Sequence, residues 1–226
     1  MKSKLVSFII LSFVILLAGC EFDNYNPPKS LLTGSVTYNG NNVGARSGGT
    51  QLELWQYGYA LRSKIPVYID QNGDFSARLF DGDYKLVRLA GAPWQNQTDS
   101  ISVTIIGNTT VDVPVIPYYT ITNENFTYNK SSGELTSTCN LTKVGTLNVS
   151  SLTLYVGVTS IVDANNNSQT NVLNAAALGD LSTQKTNTVT LNAANKARQY
   201  VYARLGVQTA GVGERLYTPV QKITLN

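Results

Sequence analysis

The sequence predicts an all-β protein: two β-sandwich domains in tandem after a cleaved lipoprotein signal peptide. Three observations lead there. Short runs that alternate apolar and polar residues recur along the chain, each bounded by Gly, Asn or Asp, as half-buried strands and their turns require. No window after the N-terminal segment sustains the 3.6-residue period of an amphipathic helix. A break at Pro114, Pro117 and Tyr118-Tyr119 separates one series of strands from a second.

Residues 1–19 read as the signal peptide. Lys2 and Lys4 precede Leu5–Leu17, an apolar run interrupted only by Ser7 and Ser12. Its thirteen residues are too few for a stable membrane span and suit a signal-peptide core. The run ends in Leu17-Ala18-Gly19-Cys20, which resembles a bacterial lipobox. That resemblance implies cleavage before Cys20 and lipidation of its sulfur and new amino group, with several acyl chains anchoring more stably than one. Residues 20–30 then form the lipidated end and a tether, with Pro27-Pro28 favouring an extended path.

Residues 31–117 form the first predicted sandwich. Residues 31–38 alternate and meet Asn39-Gly40, a strong hairpin signal. Strands follow over 51–55 and 64–69, the latter running into Asp70-Gln71-Asn72-Gly73-Asp74. Further runs cover 75–80, 84–89, 101–106 and 109–116. Residues 118–226 form the second sandwich, with strands expected over 121–129, 134–141, 151–162, 186–192, 198–209 and 215–225. Only residues 171–181 could hold a helical turn or two.

As a set, Leu32-Thr33-Gly34-Ser35-Val36, Asn72-Gly73-Asp74-Phe75-Ser76, Phe80-Asp81-Gly82-Asp83-Tyr84 and Thr109-Thr110-Val111-Asp112-Val113 resemble a carboxypeptidase-regulatory or transthyretin-like domain. Tyr200–Val207 and the last strand, Val220–Leu225, resemble a fibronectin-III or immunoglobulin-like domain. The two halves on their tether resemble a two-domain Bacteroidota lipoprotein family of unknown function, encoded beside SusC/SusD-type outer-membrane importers. The resemblance implies a lipid anchor in the outer membrane, facing the cell exterior, and an importer or its lipoproteins as partner. It supplies no catalytic residues.

Composition excludes several function classes. After loss of Lys2 and Lys4, 15 basic residues face 14 acidic ones, which gives no basic patch for nucleic acid. The chain has no histidine, so His-based triads and His-ligated zinc are absent. With Cys20 lipidated, Cys139 has no disulfide partner, and its place in an alternating run reads as a small buried core residue. Asp81 and Asp83 flank a turn glycine and read as turn formers, not as a glycosidase pair. No catalytic residue, metal site or cofactor is expected. Asp70-x-Asn72-x-Asp74 has the first oxygen positions of a calcium loop, but glycine falls at the fourth position and not the sixth, so a hairpin turn is expected. Arg46, in a Gly-rich loop, is expected to be solvated.

The candidate binding residues are aromatic. In an extended 51–59 segment, Leu52 and Leu54 point to one face, and Glu53, Trp55, Tyr57 and Tyr59 to the other. Trp94, in a loop, could join them. Such rings can stack on sugars or peptides, dock on a partner protein, or pack between the domains. If they form a ligand platform, the four should be clustered and exposed. Asp99-Ser100-Ile101 resembles a short bacterial O-glycosylation acceptor, which makes Ser100 a candidate modification site.

Overall fold

The computed structural model describes residues 26–58 and 62–225. The first sandwich is built around β1 (Ser30–Tyr38). Along one edge β1 pairs antiparallel with β5 (Asp74–Leu79) and then with the short β2 (Asn41–Asn42). Along the other it pairs in parallel with β8 (Asn108–Thr110) and β9 (Val113–Pro114). The sequence run 109–116 is therefore two short strands with a crossing between them. Gly34 makes that crossing feasible, because a Cβ there would lie 1.8 Å from the Val111 carbonyl oxygen. The Asn39-Gly40 turn joins β1 to β2 with positive φ at both residues, 50° and 78°, as a type I′ hairpin requires.

The facing sheet is wholly antiparallel, in the order β4 (Lys64–Tyr68), β3 (Gln51–Gln56), β6 (Gly82–Arg88), β7 (Ser100–Ile105). Its inward residues Leu52, Leu54, Val67, Leu86 and Ile105 meet Leu32, Val36 and Phe75 of the first sheet. Each fully buried leucine contributes about 2–3 kcal/mol by leaving water.

The second sandwich sets β10 (Tyr119–Asn129), β11 (Glu134–Lys143) and β14 (Lys185–Thr190) against a larger sheet. That sheet runs β13 (Gln169–Asn174), β12 (Val149–Gly157), β15 (Tyr200–Thr209), with β16 (Leu216–Tyr217) and β17 (Gln221–Thr224) both on β15. The single strand expected over 215–225 is thus broken at Thr218-Pro219. The strand expected over 151–162 ends at Gly157, and residues 158–168 fold back over the sheet's outer side. Most of residues 171–181 divides between β13 and a four-residue helix, α1 (Ala175–Leu178), whose cap is Asn174 Oδ1 accepting from the Ala177 amide at 2.9 Å. A second short helix, α2 (Ala193–Lys196), is capped the same way by Asn192. It was not legible as a helix, since one turn carries no periodicity.

Cys139 is buried between Leu135 and Leu141 on the inner face of β11, and burial raises its pKa to about 11. One hydrophobic cluster runs through both sandwiches. A smaller one, Tyr155, Val162 and Tyr217, lies on the other face of β12 and β15. Both faces of that sheet are therefore buried in its middle.

Candidate functional site

The outward face of the β4–β3–β6–β7 sheet follows from the alternation that fills its inner face. Leu52 and Leu54 have no exposed surface, so Glu53 and Trp55 point away from the core. Trp55 stands opposite Lys64 on β4 and Lys85 on β6, and Glu53 stands opposite Pro66 and Val87. Glu53 accepts from Lys64 Nζ at 2.7 Å and from the Trp55 Nε1–H at 3.2 Å. The indole edge is thereby held beside the carboxylate, and the ring is half-buried. Further out, Lys85 donates to Ser102 Oγ and Thr104 donates to Asp83, both at 2.6 Å.

β3 ends at Gln56, and Gly58 adopts φ 96°, so the three-ring ladder is interrupted. Tyr57 lies just past the strand, 56% exposed, with the Arg62 guanidinium carbon 5.2 Å from its ring centroid. Tyr59 and Cys20 lie outside the described residues. Beside Tyr57 opens a groove of about 950 Å³, bounded by Gln56, Asp83, Lys85, Ser102 and Thr104. Tyr68, opposite Gln51 on the edge strand β4 and 56% exposed, borders a separate hollow with Thr33, Ser35 and Ser76 of the other sheet. Sequence reasoning passed over it, although the alternation that buries Val67 turns its neighbour outward. The face carries dispersed aromatic surface among one ion pair, a cation–π contact and hydroxyls. It can offer flat apolar contacts with a hydrogen-bonding rim.

Both halves of the chain match family models: the N-terminal domain of a protein of unknown function (DUF3823) over residues 30–116, and the domain of unknown function DUF3823_C over residues 119–222. The chain belongs to the DUF3823 family. Two crystal structures of DUF3823 proteins are similar to it, one from Bacteroides ovatus (36% identity, TM-score 0.82) and one from Parabacteroides merdae (29%, 0.80). Each match covers 88% of this chain and 100% of the other. A Bacteroides uniformis protein described as a candidate carbohydrate-binding protein shares the fold at 19% identity and TM-score 0.72, with the same coverage. No curated protein matches the chain.

In this DUF3823 chain Trp94 does not join the aromatic face. It is 1% exposed, lies in the main core, and its backbone bridges to Pro117 at the junction between sandwiches. Gln95 N–H donates to Ile116 O at 2.8 Å, so the 91–95 loop is strapped to the interdomain connection. The expectation of an exposed cluster of four rings is corrected accordingly: this ring is a wedge inside the body. No sequence period locates a loop residue, so only the tertiary contact could show this.

Arg46 is corrected as well. It is not a solvated loop residue. It forms a two-pronged ion pair with Glu214 of the second sandwich, at 2.6 and 3.2 Å, which raises its pKa. Asp70 closes the expected turn: its Oδ1 accepts from the amides of Asn72 and Asp74 at 2.8 and 3.0 Å. Asp81 joins two strand ends, accepting from Ser30 Oγ at 2.5 Å and Gly107 N–H at 3.0 Å, which lowers its pKa. Ser100 is exposed at the start of β7, and its neighbour Asp99 accepts from Arg88 at 2.6 Å.

Proposed function

We propose that this DUF3823 protein is a non-catalytic lipoprotein, anchored through Cys20 in the outer membrane and facing the cell exterior. It serves a SusC/SusD-type importer as an accessory. It docks on the importer or its lipoproteins and holds an oligosaccharide or peptide against the outer face of the first sandwich. The observation that carries this reading is the placement of Trp55 on the solvent side of a sheet whose other side is the core, with the exposed Tyr57 just past the end of its strand. The lipobox and the tether support the anchor, and tethering makes weak contacts sufficient by raising effective concentration.

A second reading, direct glycan capture by this chain, is favoured by the groove beside Tyr57 and its rim of hydroxyl and charged groups. The description of the Bacteroides uniformis relative points the same way. The test is a gentle detergent pull-down of the tagged full-length protein from its native outer membranes, with mass spectrometry of what co-purifies. Near-equal recovery of a SusC/SusD-type pair, reduced by Trp55→Ala with Tyr57→Ala, is the expected result. Recovery of the protein alone would remove the docking role, and sugar arrays with the same variants would then decide on direct capture.

A further inference from the structure

A second cavity lies away from the aromatic face, between the two sandwiches, with a volume of about 570 Å³. One wall is the β1–β2 hairpin, with Tyr38, Asn39, Asn41 and Asn42. The other is the Thr120–Glu124 stretch of β10, and Leu216–Pro219 with Val43 and Pro117 close the base. Ligand pockets occur preferentially at such domain junctions, in this size range, with an apolar base and a few convergent polar groups.

Two features go beyond shape. First, the only non-glycine residues with positive φ among the described ones are Asn39 and Asn123, and both line this cleft. Asn39 is explained by its hairpin turn. Asn123, at φ 53°, sits in the bulge where the β10–β11 register shifts between Thr122 and Asn125. A bulge re-aims side chains, and here it puts an amide on the cleft wall at a position where glycine would be unstrained. Second, the charge is wrong for an anion. Four asparagines line the walls, Glu124 is the one ionised group among the lining residues, and no lysine or arginine is among them.

Side-chain amides present a donor and an acceptor together, which matches vicinal hydroxyls. Asn41 Nδ2 is engaged with Asn39 O at 3.3 Å and Asn42 Nδ2 with Asp74 at 2.9 Å, while the Asn39 and Asn123 amides bond to no other described residue. The half-buried Tyr38 ring adds a flat apolar surface. The base is rigid, because Tyr217 N–H donates to Gly44 O at 3.0 Å across the junction. We propose that this interdomain cleft is a binding site for an uncharged saccharide, held by asparagine amides against Tyr38, and separate from the Trp55 face.

The test is saturation-transfer-difference NMR and calorimetry on the full-length protein in detergent, with a panel of neutral hexoses, N-acetylhexosamines and their disaccharides. Two variants remove the uncommitted cleft amides without threatening the fold: Asn123→Gly and Asn39→Gly, both at positive φ, where glycine is unstrained. The expected result is a sugar whose affinity falls at least tenfold in both variants at unchanged Tm. The inference is overturned if no sugar of the panel binds, or if binding survives both variants. Loss in Trp55→Ala alone would also overturn it, by assigning the binding to the outer sheet face.

Discussion

Arg204 of the second sandwich donates a hydrogen bond to the backbone carbonyl of Gln71 in the first, at 3.2 Å. The side chain has no exposed surface. Its other donors reach Thr218 O at 2.9 Å and Val162 O at 3.1 Å, and its guanidinium carbon lies 4.4 Å from the Tyr217 ring centroid. Burial lowers its pKa to about 10, partly opposed by the neighbouring Tyr217 and Asp163. Three carbonyls and a ring thus replace water around one cation at the domain junction. A buried ion is costly to introduce, and removing a buried charged partner is costlier still.

Arg204→Met should therefore destabilise the protein by about 3 kcal/mol, since two buried acceptors and one part-buried acceptor lose their donors. For a chain of this size that is a Tm drop of roughly 6–12 °C. Arg204→Lys should recover only part of it, because an ammonium lacks the planar fork. Scanning calorimetry reads both, and an unchanged Tm in Arg204→Met would refute a stabilising role for this buried guanidinium.

The Arg46–Glu214 pair is about a quarter exposed on each side, so solvent screens it. Glu214→Gln should cost about 1 kcal/mol at low salt and less at high salt. The exchanged pair Arg46→Glu with Glu214→Arg should recover stability that either change alone loses. Additive losses in that cycle would show that the two residues do not interact.

Gly34→Ala should be among the more damaging single-methyl changes. Its Cβ would overlap the Val111 carbonyl and approach Phe75, at 2.8 Å. Either β8 and β9 must shift from β1 or the core must open, at a cost of about 1–3 kcal/mol. A lowered urea midpoint with Gly34→Ala is expected, and a wild-type midpoint would show that the crossing has slack.

Cys139 should be inert toward Ellman's reagent in the native protein and react on unfolding in guanidinium. Its thiol pKa, raised to about 11 from an ordinary 9 by burial, also predicts a pH effect. The unfolded thiol ionises first as pH rises, so this contribution to stability is intact below pH 9 and is lost as pH passes 11. Cys139→Ala should flatten that alkaline slope relative to wild type, and equal slopes would contradict the assignment.

Much of this molecule was legible in local pattern. Alternation placed Leu52 and Leu54 inside and Trp55 outside, it put Cys139 in the core, and Asn39-Gly40 and Asp70–Asp74 announced their turns. Each depends on neighbours within a few residues, and a strand's two faces are written in its own sequence. The sequence by itself therefore determined an all-β chain of two strand series and the outer position of the Trp55 face. Trp94, Arg46, Arg204 and the asparagine-lined cleft were decided only by tertiary structure. Their partners, Pro117, Glu214, Gln71 and the opposite wall, lie far away in sequence. Burial of a loop ring or pairing of a loop charge is a property of what folds against it, and that carries no local period.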